Sequence, residues 1–380
     1  MKKKLLSVIL VMVLSLFLVA CGGDSKQTGG ESQEPNETES TGDDKAGDDS
    51  SKDNIKIGVA MPTKDLQRWN QDGANMKAEL EAAGYEVDLQ YANNEIATQL
   101  SQIENMITAG CDALVLASID GSSLGTVLIK AKEAEIPVIA YDRLIMESDA
   151  VSYYATFDNY MVGTIQGEFI RDALDLENAE GPFNIELFTG SPDDNNARYF
   201  FGGAIDVLQP YIDSGKLVVV SGQEAFEEVA TLNWSTEEAQ KRMENIITAY
   251  YADGTKLDAV LSSNDSVANG ITNALLSSGY TAENFPILTG QDCDITSVKN
   301  IVAGTQSMSI FKDTRTLASQ VVEMVNAIID GNEVPVNDTE TYDNGIVVIP
   351  TYLCEPVFAD ADNYKELLID SGYYTEDQLQ

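Results

Sequence analysis

Residues 96–141 read IATQLSQIENMITAGCDALVLASIDGSSLGTVLIKAKEAEIPVIAY, and this stretch decides the fold. Ile96, Leu100, Ile103 and Ile107 recur at i, i+4, i+7 and i+11, one face of a helix, and Gly110 stops it. Ala113-Leu114-Val115-Leu116-Ala117 is an unbroken apolar run of strand length, the pattern of a strand buried on both faces. Leu124, Val127, Leu128 and Ala131 mark the next helix, and Pro137 opens the strand Val138-Ile139-Ala140-Tyr141. Short apolar strands alternating with helices predict βαβ units and a parallel sheet.

The pattern extends both ways. Ile55 to Met61 is a short apolar strand, helical patterning runs on to about Glu81, and Glu86 to Tyr91 is a second strand. Beyond residue 150 the alternation starts again, with strands expected near 183–188, 217–220, 259–261 and 287–288. The architecture repeats although the sequence does not. With 380 residues, more than one core usually holds, the prediction is an α/β protein of two lobes.

The first 53 residues read differently. Lys2-Lys3-Lys4 and an apolar run from Leu5 to Ala20 have the form of an export signal too short to span a bilayer comfortably. The run closes as Leu18-Val19-Ala20-Cys21-Gly22, which resembles the bacterial lipobox and implies cleavage before Cys21 and lipidation of its thiol. A plain signal peptide with an incidental cysteine is the blander reading. From Gly22 to Asp53 ten acids, three lysines and almost no apolar residues cannot bury enough surface to fold, so 21–53 is expected to be a disordered acidic linker. A lipid-anchored body on the outer face of the cell membrane follows.

Charge and composition exclude whole classes. Lys and Arg number 23 against 62 Asp and Glu, a net charge of −39, which repels a nucleic-acid backbone. The chain has no histidine, so histidine-based triads, imidazole zinc sites and histidine pH switches are all ruled out. Cys111, Cys293 and Cys354 lack metal-ligand spacing and read as small buried thiols. Neither GxxxxGK[ST] nor GxGxxG is present, so no nucleotide cofactor is expected.

In parallel sheets ligands bind beyond the carboxyl ends of strands. There stand Lys64 to Trp69, Asp142-Arg143, Gly190 to Asn196, Trp234, Asn264-Asp265 and Gln291-Asp292. They include the only two tryptophans. A sugar carries hydroxyls around a C–H face; planar Asp, Asn, Gln and Arg groups suit the hydroxyls, and an aromatic ring covers the face. Each residue has a plainer reading: Asp193, Asn264 and Asp292 as helix caps, Trp69 and Trp234 as core, Asp142-Arg143 as an ion pair. A glycosidase working through two acids is the competing class, but acids set beside Arg or Asn are built to stay ionised.

At these residues the chain resembles the periplasmic sugar-binding proteins of ABC transporters, in the xylose-binding and multiple-sugar-binding branch. The similar segments include QRW at 67–69, QIENMI at 102–107, ASIDG at 117–121, IAYDRLI at 139–145, SSND at 262–265, GQD at 290–292 and IFKDTR at 310–315. VSYYATFDN at 151–159 and FNIELFTGSPDDNNA at 183–197 look closer to the multiple-sugar proteins than to the strict xylose binder. The resemblance, over about 54–380, implies two Rossmann-like lobes with parallel sheets joined by a three-crossing hinge, the type I periplasmic binding protein fold. It divides the body into 54–157 plus 313–345 and 158–312 plus 346–380, with 1–20 as signal peptide. It implies that Trp69 and Trp234 sandwich one monosaccharide of xylose, glucose, galactose or arabinose type. Arg68, Asp142, Arg143, Asn196, Asn264, Asp292 and Lys312 would bond its hydroxyls and ring oxygen, and Phe157-Asp158-Asn159 would lie at the hinge. The implied partners are a membrane permease and, as an alternative, a membrane receptor kinase; no catalysis, cofactor or metal is implied.

Overall fold

The computed structural model describes residues 54–379; the signal segment, Cys21 and the acidic linker lie outside the described residues. In β1 (Lys56–Met61) the strand period of two sends Ile57, Val59 and Met61 to one face of a sheet and Ala60 to the other. The same division recurs in β3 (Ala113–Leu116), with Ala113 and Val115 on one side and Leu114 and Leu116 on the other. The remaining strands of this lobe are β2 (Glu86–Tyr91), β4 (Val138–Tyr141) and β5 (Tyr153–Phe157). Its helices are α1 (Gln67–Ala82), α2 (Ile96–Thr108) and α3 (Gly125–Glu133).

The second lobe begins with α4 (Asn159–Ala173), β6 (Phe183–Phe188), α5 (Asn196–Asp213), β7 (Leu217–Val219) and the short α6 (Phe226–Val229). It continues with α7 (Thr236–Ile246), β8 (Ala259–Ser262), α8 (Asp265–Ser277), β9 (Ile287–Leu288), α9 (Ile295–Ala303) and β10 (Met308–Phe311). Then α10 (Thr314–Asp330) and β11 (Thr351–Cys354) return to the first lobe, and β12 (Val357–Asp360) ends in the second.

The first sheet is wholly parallel in the order β11-β5-β4-β3-β1-β2, and the second repeats that order as β7-β6-β8-β9. A parallel bridge from Gln291 to Ile310 carries the second sheet on to β10, which pairs antiparallel with β12. In both lobes the connection reverses direction between the first and third strands, which opens a crevice at their carboxyl ends. Where α4 meets α5 the backbones touch: a Cβ on Gly163 would lie 1.9 Å from the Phe200 carbonyl oxygen, so only glycine fits.

Every strand predicted from the sequence is present. The expectation that 346–380 belongs wholly to the second lobe is corrected. Thr351–Cys354 pairs in register with Tyr154–Phe157 at the edge of the first sheet, so the third crossing falls at Glu355-Pro356 rather than near residue 345. The chain also passes between the lobes after Phe157 and at Lys312-Asp313, and Asp158 and Asp313 cap the helices that follow. The Asp158 N–H donates to the Cys354 carbonyl at 3.1 Å, tying two crossings together. Cys111, Cys293 and Cys354 are free thiols and buried, as the sequence predicts.

Candidate functional site

All nine residues predicted to meet a ligand line one cavity between the lobes, with about 390 Å³ of atom-free space. The first lobe contributes Arg68 and Trp69 from the first turn of α1, and Asp142 and Arg143 from the end of β4. The second contributes Asn196 at the start of α5, Trp234, Asn264 before α8, Asp292 after β9 and Lys312 at the end of β10.

The electrostatic centre is Arg68, which is 6% exposed. Its Nε donates to Asp72 Oδ2 at 2.8 Å, its Nη2 lies 3.0 Å from Asp142 Oδ2, and its Nη1 donates to Asp292 Oδ1 at 3.2 Å. The first two partners belong to the same lobe and the third to the other. Lys312 Nζ reaches back across the cleft, 3.1 Å from Asp292 Oδ1 and 3.7 Å from Asp142 Oδ2. Burial alone would raise the Asp142 carboxyl, but Arg68, Lys312 and Arg143 together hold it below its ordinary value. It is therefore ionised at neutral pH, as a fixed acceptor and not a proton donor.

Arg143 donates to the carbonyls of Ser118 at 3.0 Å and Ile119 at 3.1 Å, and its Nε stands 3.1 Å from Asp194 Oδ2 in the other lobe. Arg68 Nη2, Asp142 Oδ2 and Arg143 Nε sit within ion-pair distance of their partners but are not aligned for hydrogen bonds within the protein. Trp234 Nε1 and Gln291 Oε1 have no hydrogen-bond partner among the described residues. A buried polar wall with unspent donors and acceptors is suited to a polar, uncharged molecule.

Three cavity residues have strained backbones. Asp142, Trp234 and Asp292 have φ of +59°, +56° and +95°, in a region that side-chain-bearing residues seldom occupy. The surroundings enforce it. The Asp142 carbonyl accepts from Tyr154 Oη at 2.5 Å, Thr156 Oγ1 at 3.0 Å and Asn196 Nδ2 at 2.6 Å. The Asp292 N–H donates to the Ile310 carbonyl at 2.8 Å. Trp234 rests on Gly190, where a Cβ would come within 1.9 Å of the indole ring.

The two indoles belong to opposite lobes. Guanidinium groups of Arg68 and Arg143 lie 4.8 and 5.1 Å from the Trp69 ring centroid. Phe200 braces Trp234 edge-on, with centroids 6.2 Å apart. Both tryptophans are also core residues, so the core and cavity readings describe the same side chains.

Two predicted residues hold a place in the cavity with part of their polar capacity already used. Asn196 spans the cleft, giving Nδ2 to the Asp142 carbonyl and accepting from Tyr154 Oη at 3.1 Å. Asn264 caps α8, its Oδ1 accepting from the Val267 N–H at 3.0 Å, as the capping reading anticipated. Asp292 instead spends its carboxylate on Arg68 and Lys312. The sequence reading passed over Leu66, Asp194, Phe200, Ser266, Gln291 and Asp294, which also line the cavity. Asp194 and Gln291 stood in the quoted strand-end stretches, and Phe200 lies one helical turn beyond Asn196. Among the described residues no cluster of three or more His, Cys, Asp or Glu is arranged to hold a metal ion.

Comparison with known proteins agrees with this geometry. Residues 57–333 match the periplasmic binding protein domain. The chain is 54% identical to the multiple sugar-binding periplasmic receptor ChvE of Rhizobium radiobacter, over 85% of this chain and 92% of that one. Identity to the D-xylose-binding periplasmic protein of Escherichia coli is 38%, over 86% and 92%. A crystal structure of an ABC transporter solute-binding protein from Clostridium phytofermentans with bound β-D-glucose superposes with a TM-score of 0.84 at 71% identity, covering 86% of this chain and all of that one. With its fold, its cavity and these relatives in agreement, the chain belongs to the periplasmic binding protein domain family, on the multiple-sugar-binding side of the xylose binders.

Proposed function

We propose that this protein captures one neutral monosaccharide, an aldose of the glucose, galactose, xylose or arabinose type, between its two lobes and delivers it to the permease of an ABC transporter. The observation that carries this is the cavity: its wall holds one tryptophan from each lobe together with fixed planar groups, Arg68, Asp142, Arg143, Asn264 and Asp292, and with Lys312. Trp69 and Trp234 would cover the two faces of the ring, and the polar groups would take its hydroxyls. The β-D-glucose in the Clostridium phytofermentans relative supports the ligand class.

Closure follows from the same contacts. Arg68 to Asp292, Lys312 to Asp142 and Asn196 to the Asp142 carbonyl all join one lobe to the other. A sugar that completes this shell favours the closed form by its differential affinity, and the closed form presents a joint surface to the permease. The crossings at Phe157-Asp158-Asn159, Lys312-Asp313 and Glu355-Pro356 would act as the hinge. The sugar would leave unchanged; Asp142, held ionised by Arg68 and Lys312, would serve it as an acceptor and not as a proton donor. Cys21 would carry lipid and hold the body, by the linker 21–53, to the outer face of the cell membrane.

A second outlet is the presentation of the closed complex to a membrane receptor kinase, favoured by the name receptor borne by the Rhizobium radiobacter relative. The test is incubation with an aldose panel, followed by denaturation and chemical identification of what was bound. Stoichiometric recovery of one intact aldose supports the proposal; recovery of a cleaved or oxidised product, or of none, overturns it.

A further inference from the structure

Asp294 is an acid of the cavity wall. It lies two positions past Asp292, on the loop that leads into α9, is 9% exposed and lines the cavity. It occupies the capping position of α9 yet makes no side-chain cap, and its Oδ1 has no hydrogen-bond partner among the described residues. Its neighbour beneath, Asp265, is different. That carboxylate accepts from Gln306 Nε2 at 3.0 Å, from Ser309 Oγ at 2.9 Å and from the Asp294 N–H at 2.8 Å, so it anchors the loop from inside the lobe.

We propose that Asp294 is a further ligand-contacting residue, which selects among sugars by pairing with one ring hydroxyl on the side that the second lobe covers. The inference rests on the sugar-binding reading above and deepens it. A buried carboxyl oxygen without a partner is costly, and a hydroxyl, both donor and acceptor, meets it whether or not it holds a proton. The charged and titratable groups that face it are Asp292 and Cys293 on its own loop, Arg68 of α1, Asp265 of α8, Lys312 beyond β10 and Tyr374 of the C-terminal segment. Burial first, and then Asp292, push the Asp294 carboxyl up to about 7 against the pull of Arg68. Near neutral pH it therefore changes between acid and carboxylate. Two other groups of the cavity wall are likewise unpartnered among the described residues, the donor Trp234 Nε1 and the acceptor Gln291 Oε1.

The experiment is calorimetric titration of the wild type and of Asp294→Ala with D-glucose and its 2-, 3-, 4- and 6-deoxy derivatives. The Ala variant is expected to bind glucose roughly tenfold or more weakly, the range of one hydrogen bond to a charged group. One deoxy sugar, weak on the wild type, should bind the variant about as well as glucose does. If every deoxy sugar loses the same factor on both proteins, Asp294 touches no hydroxyl and the proposal falls. Asp294→Asn gives a second route that does not depend on the folding of the Ala variant: the near-isosteric amide alters the same contact, so the same deoxy sugar should stand out from the others in its change of affinity between wild type and variant. If all the deoxy sugars change by one common factor, the proposal falls. Failure of a folded wild type to bind any aldose contradicts the sugar-binding reading itself, and this inference with it.

Discussion

Replacement of Arg68 by Met keeps much of the side chain's length and removes only its charge and donors. Three carboxylates then lose a cation: Asp72, Asp142 and Asp292, each no more than 7% exposed. Breaking a buried pair from one side typically costs about 3–5 kcal/mol, because the orphaned charge stays buried. Two features of the structure set the size. Lys312 still sits 3.1 Å from Asp292 and 3.7 Å from Asp142, so those two keep a partner. Asp72 keeps only neutral company, the hydroxyl of Tyr141. Both Asp72 and Asp142 lie in the same lobe as Arg68, so the loss is felt with the cleft open or closed. The expectation is a stability loss of about 3 kcal/mol at pH 7.5, the lower end of the range. It should shrink toward pH 5, because carboxyls without their cation have raised pKa values and accept protons as the pH falls. Urea unfolding of the ligand-free protein at the two pH values measures it. A loss below about 1 kcal/mol at pH 7.5, or one unchanged at pH 5, would refute the reasoning that Arg68 neutralises buried acids.

Three other outcomes follow from particular contacts. Gly190→Ala places a Cβ 1.9 Å from the Trp234 ring, so the indole must move: sugar affinity should fall although no ligand-contacting atom is removed, with a stability cost of about 1–3 kcal/mol by overpacking. The carboxyls of Asp72, Asp194, Asp265 and Asp294 are raised, chiefly by burial, and that of Asp142 is lowered. Groups raised in the folded state bind protons that the unfolded chain releases above about pH 4, so their effect is a stability that falls as the pH rises toward 7; the Asp142 contribution has the opposite sign and is lost as the pH falls below 4. Melting temperature should therefore be higher at pH 5 than at pH 8, and the reverse order would contradict these burial assignments. Finally, Cys21→Ser should release the protein from washed membranes into the medium of the producing cells, whereas retention of the variant at wild-type level would remove the proposed lipid anchor.

The extent to which this was legible beforehand depended on the range of the forces involved. Ile96, Leu100, Ile103 and Ile107 announce a helix because the helix is decided within twelve residues, and the apolar runs at 113–117 and 138–141 announce strands for the same reason. The strands β11 and β12 lack such an unbroken apolar run and owe their existence to partners far away, as when Thr351–Cys354 finds Tyr154–Phe157. The third crossing was misplaced on that account. At the site, the chemical types and their strand-end positions were readable. Roles were not, where the partner is remote: Asn196 gives its amide to a carbonyl 54 positions earlier in the chain. Asp294 escaped notice because nothing local marks it. The left-handed turn at Asp292 and Cys293, with φ of +95° and +50°, carries the chain on to it, and that turn is held by Ile310 and Ser309 from another strand.

The central claim, that one sugar lies between a tryptophan of each lobe, is tested most directly with the two single-tryptophan variants Trp69→Phe and Trp234→Phe. Each is titrated with the same aldose and followed by indole emission, with calorimetry as the independent measure of binding. Both remaining indoles line the cavity, so both should respond saturably, each with a midpoint equal to the calorimetric Kd of its own variant. At a sugar concentration 100-fold above Kd, each protein should also gain about 2.7 kcal/mol of stability. Binding seen by calorimetry with an emission change from only one tryptophan, or from neither, would contradict the sandwich and place the sugar elsewhere.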